Sequence, residues 1–240
     1  MNTNSIDLEL SSSQYLSITD ANQTGLDLAS DFTIEAWVKT ESTPAASGTL
    51  EIFDKYTSAG DNRSYRFYYQ NNAGTMKIVV NTSSTGAAGQ VINHFFNYTL
   101  TNGTWFHLAM TYDLSAGTAL LYVNGVSQGS VSGGNTSIYN GTGAVNIGAI
   151  NEGTALYFDG LIDDVRVWSD KRTQQEVQDN MSVELVGDEA GLVAYWKLND
   201  SLLDETSNDN DLTNNNSATF STDVPFSGET ANTTNFFNFI

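Results

Sequence analysis

Carboxylates have the widest chemical scope in this chain, and their spacing limits what they can do. In FDGLIDDVRVW (158–168), Asp159 precedes a glycine, and Asp163 and Asp164 sit inside a strand-forming run. Successive side chains of a strand point to opposite faces. Asp163 falls in phase with Leu161, Val165 and Val167, and Asp164 with Ile162, Arg166 and Trp168. A carboxylate among core aliphatics is costly unless something pairs with it. The pattern therefore expects Asp163 to face inward and to be held by calcium or by backbone N–H groups. Calcium takes about six to eight oxygens, mostly carboxylates and carbonyls. Three clusters offer them: Asp159 with Asp163, Asp20 with Asn22, and Asp204 with Asp209 and Asp211. None has EF-hand spacing. For the last cluster the simpler expectation is a solvated turn in which Asn and Asp bond their own backbone.

Hydrolysis of a glycosidic bond with retention needs two carboxyl groups about 5–5.5 Å apart. Glu51 and Asp54 are three residues apart, so strict alternation turns them to opposite faces. Asp163 and Asp164 diverge in the same way. Asp7 and Glu9 share a face near the N-terminus without a third acid, and His94 and His107 have no Ser or Cys nucleophile beside them. The expectation is a non-catalytic protein with no organic cofactor. Sugar recognition asks instead for flat aromatics beside planar polar groups. Trp37 shares a strand face with Thr33 and Glu35, and Arg66 and Tyr68 lie opposite Tyr65, Phe67 and Tyr69. Trp37, Arg66 and Tyr68 are the candidate ligand-binding residues.

The elements that must position these groups are strands. Runs such as QYLSI (14–18), FTIEAWVKT (32–40), LEIFDKY (50–56), SYRFYYQ (64–70) and MKIVVNT (76–82) are bounded by Gly, Asn, Asp and Ser. Further runs at 91–100, 105–113, 119–123, 126–131, 144–150, 161–168 and 191–198 follow. Asn124-Gly125 between two of them is a strong hairpin signal, because both turn residues need positive φ. One helix is expected near 173–181, opened by a capping box of Thr173 and Glu176. The pattern is that of an all-β, antiparallel two-sheet sandwich with one short helix.

The balance of 28 acidic against 9 basic residues gives a net charge of −19, with no cysteine. Such a surface repels nucleic-acid phosphates and anionic lipid. No apolar run is long enough to span a membrane as a helix. The N-terminus lacks the basic and apolar regions of a signal peptide, yet the Asn/Ser/Thr-rich surface suits an extracellular, cell-surface or virion-surface setting. The organisation expected is one domain over 1–228 and a tail over 229–240. The tail's Phe236, Phe237, Phe239 and Ile240 suggest an arm that docks in a homo-oligomer or larger assembly.

Taken together, FTIEAWVKT (32–40), WFHLAMTYDLSAGTALLYVNGV (105–126), VNIGAINEGTALYFDGLIDDVRVW (145–168), RTQQEVQDNM (172–181) and GLVAYWKLND (191–200) resemble a laminin-G-like module of the concanavalin A-like lectin/glucanase superfamily. The resemblance implies a curved jelly roll like that of pentraxins and legume lectins. It also implies a sugar or surface-protein partner, and in many members a calcium ion, here toward Asp159 and Asp163. The superfamily's glucanases carry Glu-x-Asp-x-Glu on one strand, which this chain lacks. Two functions follow: a surface recognition or adhesion module that binds carbohydrate, or a structural or decoration protein of a virus particle. A glycoside hydrolase ranks behind both.

Overall fold

Alternating apolar runs pair into two antiparallel sheets in the computed structural model, which describes residues 1–150 and 152–227. In chain order the strands are β1 Ser5–Leu8, β2 Tyr15–Ile18, β3 Phe32–Thr40, β4 Thr49–Thr57, β5 Asn62–Asn72, β6 Thr75–Ser83, β7 Val91–Asn97 and β8 Phe106–Asp113. They continue as β9 Thr118–Val123, β10 Val126–Val131, β11 Val145–Ile147, β12 Gly160–Trp168, β13 Leu192–Trp196, β14 Thr213–Asn215 and β15 Thr219–Ser221. The eight-stranded sheet runs β10-β9-β8-β3-β12-β1-β15, with β13 also paired to β12; the seven-stranded sheet runs β14-β2-β11-β4-β5-β6-β7.

The inner faces meet in one core. Phe32, Ile34, Ala36 and Val38 of β3 face Phe53, Tyr65 and Phe67 from the other sheet within one buried cluster. Phe32 stacks on Tyr112 with ring centres 5.3 Å apart, and Phe53 lies 6.1 Å from Trp196. Trp196 and Tyr65 can be buried whole because Nε1 donates to the Asn210 carbonyl and the Tyr65 hydroxyl to the Leu26 carbonyl. The turn at Asn124-Gly125 has φ of 49° and 71°, as the dipeptide predicts. The helix, α1 Gln174–Asn180, has the expected capping box and packs Val177 against Ala109 and Tyr122 on the outer face of the eight-stranded sheet.

Strand β12 departs from strict alternation. Asp163 pairs with Trp37 and Arg166 with Glu35, so three steps on β12 match two on β3. The extra residue is a β-bulge at Asp164, whose φ is 51°. Ile162, Val165 and Val167 therefore all reach the core. The expectation that Asp163 faces the core is corrected: it faces outward, opposite Trp37, and is buried by the chain's first residues. Its Oδ2 accepts from Asn2 Nδ2 at 2.7 Å and its Oδ1 from the Asp164 N–H at 2.9 Å. Side-chain amide and backbone N–H thus supply the pairing the sequence demanded.

The bulge puts Arg166 on the outer face with Asp163, opposite Glu35, and Asp164 stays beside it. The fully buried guanidinium donates to Asp164 Oδ2 at 2.5 Å and to the carbonyls of Asn180 and Val183. Glu35 Oε1 lies 3.5 Å from it and accepts from Trp168 Nε1 at 2.9 Å. This network fastens β12 and β3 to the end of α1. The tail residues Phe236, Phe237, Phe239 and Ile240 lie outside the described residues.

Candidate functional site

Strand β4 is the second place where alternation breaks. Glu51 pairs with Tyr68 and Phe53 with Phe67, so Ile52 is an extra residue. Ile52 and Phe53 both enter the core. Glu51 and Asp54 consequently share the outer face, correcting the expectation that they diverge.

Across that face, every strand of the seven-stranded sheet gives one polar residue to a single row. Thr213 of β14 pairs with Ser17 of β2, and Ser17 with Asn146 of β11. Asn146 pairs with Asp54 of β4, and Asp54 with Arg66 of β5. Arg66 pairs with Asn81 of β6, and Asn81 with Asn93 of β7. A neighbouring row holds Glu51, Tyr68, Val79 and Phe95.

Arg66 anchors the centre. Its Nε and Nη2 donate to the two Glu51 oxygens at 3.2 and 2.5 Å, a fork-to-fork pair. Its guanidinium lies 4.1 Å from the Tyr68 ring centre and 5.0 Å from that of Tyr56. Burial opposes the Arg66 charge, but Glu51 more than restores it. Burial raises the Glu51 carboxyl against the pull of Arg66. Burial, and then the Glu51 charge, push Asp54 well above the usual carboxylate range. Asp54 Oδ1 accepts from Asn146 Nδ2 at 3.2 Å. Asp54 Oδ2 and Asn146 Oδ1 are buried without a partner. At the rim, Lys77 Nζ lies 4.6 Å from the centre of the Phe95 ring, which is 40% exposed.

The segment after β11 closes the other side. Its Gly148 N–H donates to the Ile52 carbonyl, and the Glu51 N–H donates to the Leu156 carbonyl. Half-buried Tyr15 and Tyr157 flank it with ring centres 6.4 Å apart. A depression of about 360 Å³, lined by Thr19, Asp20, Ala21, Thr142, Ala144 and Glu152, opens where β2 ends and β11 begins. A larger, shallow one of about 630 Å³ lies at an end of the other sheet, and its Lys171 is held by Asp113 at 2.5 Å.

Of the candidate ligand-binding residues, Arg66 and Tyr68 come together here. Trp37 does not: it lies on the outer face of the other sheet, its Nε1 donating to the Met181 carbonyl at 2.5 Å. The calcium candidates lie in separate places. Asp20 shares the buried Lys55 ammonium with Asp27, both at 2.5 Å. Asn22 is exposed in a turn closed by its N–H on the Thr19 carbonyl. Asp159 Oδ1 accepts from the Leu10 N–H at 3.3 Å. Asp204 accepts from the N–H groups of Tyr195, Thr206 and Asn210 and from the Thr206 hydroxyl. Asp209 sits in that turn at φ 54°. The 204–211 segment bonds its own backbone but is not the solvated turn expected: Asp204 and Asn210 are buried, and they tie it to Tyr195 and Val193 of β13 and to Thr24. Among the described residues, no three His, Cys, Asp or Glu side chains form a metal-holding group.

Sequence reasoning missed Glu51, Asp54, Asn81, Asn93 and Asn146 as members of one face. Isolated polar residues were legible in these strands, but the alignment between strands was not.

A laminin-G-type family profile of the concanavalin A-like lectin/glucanases superfamily matches residues 10–178. The chain belongs to this superfamily. A search of curated proteins finds no match. Among solved structures this laminin-G-like chain is similar to a protein from Bacteroides ovatus described as carbohydrate-binding, with 22% identity and a TM-score of 0.70. That alignment covers 94% of this chain and 61% of the other, so the superfamily member spans about three fifths of its neighbour's length. A heptameric SAP-like pentraxin from Limulus polyphemus is 16% identical over 91% of this chain and 94% of its own, at a TM-score of 0.62. The binding domain of botulinum neurotoxin serotype G is 19% identical over 66% of this chain and 38% of its own, at 0.50. At these identities the likeness establishes the jelly-roll fold.

Proposed function

We propose that this chain is a non-catalytic carbohydrate-recognition module whose ligand lies on the outer face of the seven-stranded sheet. The observation that carries the reading is the polar row through Asn146, Asp54, Arg66, Asn81 and Asn93, bordered by Tyr56, Tyr68 and Phe95. Planar amide and guanidinium groups match sugar hydroxyls, and aromatic faces match the C–H faces of the ring. The description of the Bacteroides neighbour as carbohydrate-binding supports the same reading. A cell or virion surface is the setting it implies.

A glycan array followed by titration calorimetry tests it. Phe95→Ala removes an exposed ring and is expected to weaken the best glycan by up to about tenfold, roughly 1.4 kcal/mol, without moving the melting temperature. An array with no bound glycan removes the reading. Because Glu51 and Asp54 share a face, the bound oligosaccharide should also be checked for cleavage. Intact sugar is expected, since both Glu51 oxygens are engaged by Arg66; hydrolysis would reverse the non-catalytic part.

Calcium is the finer part of the proposal, with Asp20 and Glu152 at the 360 Å³ depression as its support. An ion that binds only the folded state raises stability with its concentration. The melting temperature should therefore rise in calcium and fall back in chelator; no shift would limit the module to calcium-independent binding.

A further inference from the structure

We infer that the outer face of the seven-stranded sheet prefers a saccharide carrying one carboxylate, a sialic or uronic acid, over neutral sugars and over polyanions. The inference rests on the carbohydrate reading above and names the ligand class of the same face.

The distribution of the chain's cations points this way. Carboxylates outnumber basic side chains by 28 to 9. Every basic side chain but one forms an ion pair with an Asp or Glu. The exception among the described residues is Lys77. A cation that meets no carboxylate in so acidic a chain marks a place where the acidic surface is interrupted.

That place is the open rim of the proposed ligand face. Lys77 stands on β6 between Gln70 of β5 and Asn97 of β7. Its Nζ lies 4.6 Å from the Phe95 ring centre. The ring steadies the ammonium and leaves its outer N–H groups for another partner. Phe95, Asn93 and Asn97 are exposed, and Lys77 and Gln70 are half-buried, so a ligand meets this group directly from solvent. Asn93 Oδ1 is engaged by the Tyr68 hydroxyl at 3.3 Å, so Asn93 offers its N–H groups outward. The carboxylates of the face, Glu51 and Asp54, are buried on β4, two strands away from β6.

Three ligand classes differ in what they bring to this rim. A neutral sugar can bond the amides and touch the ring, but it leaves the ammonium to water. A carboxylate on the pyranose adds a charge-assisted bond to Lys77 and accepts from the amides, while a C–H face of the sugar covers the open part of Phe95. A polyanion finds one cation and must approach a chain of net charge −19. One unpaired ammonium fits one acid.

The test titrates the full chain at physiological salt with sialyllactose and with a disaccharide ending in glucuronic acid. Each is run beside its own methyl ester, and a heparin tetrasaccharide serves as the polyanion. At least one acid is expected to bind about fourfold tighter than its ester, in line with an ion pair near the surface. Which acid does so tells sialate from uronate. Lys77→Arg should keep the ratio, and Lys77→Met, which retains the stem without the charge, should bring it close to one. The protein as a whole repels anions, so general attraction cannot produce the preference. The inference is overturned if neither acid exceeds its ester, if the preference survives Lys77→Met, or if heparin binds tighter than both acids. Any glycan captured on the array would then leave carbohydrate binding in place. An array with no bound glycan removes the reading and the inference together.

Discussion

Arg166→Ala is expected to lower stability by about 3–5 kcal/mol, because it strands two buried carboxylates without their cation. Arg166, Glu35 and Asp164 are each at most 2% exposed. The guanidinium lies 5.1 Å over the Tyr195 ring and bonds Asp164, the carbonyl of Asn180 at the end of α1 and that of Val183 beyond it. Asp164 already sits high, at about 6, because burial outweighs the pull of Arg166. Urea unfolding at pH 7 measures the loss. Most of it should return when Glu35→Gln and Asp164→Asn are added, since the penalty is charge left alone rather than volume removed. A loss below about 1 kcal/mol would mean that water reaches the network and screens it.

Stability should also be greater near pH 5 than at pH 7. Burial raises Glu51, Asp54, Asp163 and Asp164, with Asp54 and Asp163 well above the ordinary value. In each, the folded chain keeps a proton that the unfolded chain releases once pH passes about 4. The folded state then binds more protons, so stability falls as pH rises through that window, by up to about 1.4 kcal/mol per unit for each group. The chain's two histidines oppose this. Burial lowers both His94 and His107, the latter to about 3. Below about pH 6.5 the unfolded chain takes protons that they refuse, and stability falls with acidity. Four carboxylates against two histidines leave the acid side favoured, and protonation also relieves the repulsion of a net charge of −19. Asp113, Glu176 and Asp223, all lowered by bonded donors, act only at still lower pH and set the acid limit. Urea midpoints at pH 5, 6 and 7 decide the matter; a steady loss toward pH 5 would show the histidines in control.

Both predictions depend on bulges, and the bulges are what the sequence concealed. The long strands were legible because β-branched and aromatic runs end in Gly, Asn and Asp. The helix was legible in Thr173 and Glu176. Strands β1, β14 and β15 have four, three and three residues and mix polar with apolar side chains, so they carry no pattern of their own. The inserted residues in β4 and β12 leave no mark on composition. They shift the phase of everything beyond them, turning Asp163 outward and joining Asp54 to Glu51. Arg66 and Tyr68 share a face as expected because their strand keeps its phase there. Trp37 was grouped with them because alternation says which residues share a face, not which sheet that face belongs to.

The polar row makes the sheet a ruler with two different gradations. Across the strands its side chains repeat at the strand spacing, about 4.8 Å, held by backbone hydrogen bonds; along one strand, residues on the same face recur only every 6.8 Å or so. A polymer lying across the strands would follow the line of Asn146, Asp54, Arg66, Asn81 and Asn93 at the finer gradation, of which Asn93 alone is exposed. One lying along β5 passes from Arg66 to Tyr68 to Gln70 at the coarser one. For the glycan proposed as ligand, the direction in which a long chain could lie would therefore be set by the backbone before any side chain selected it.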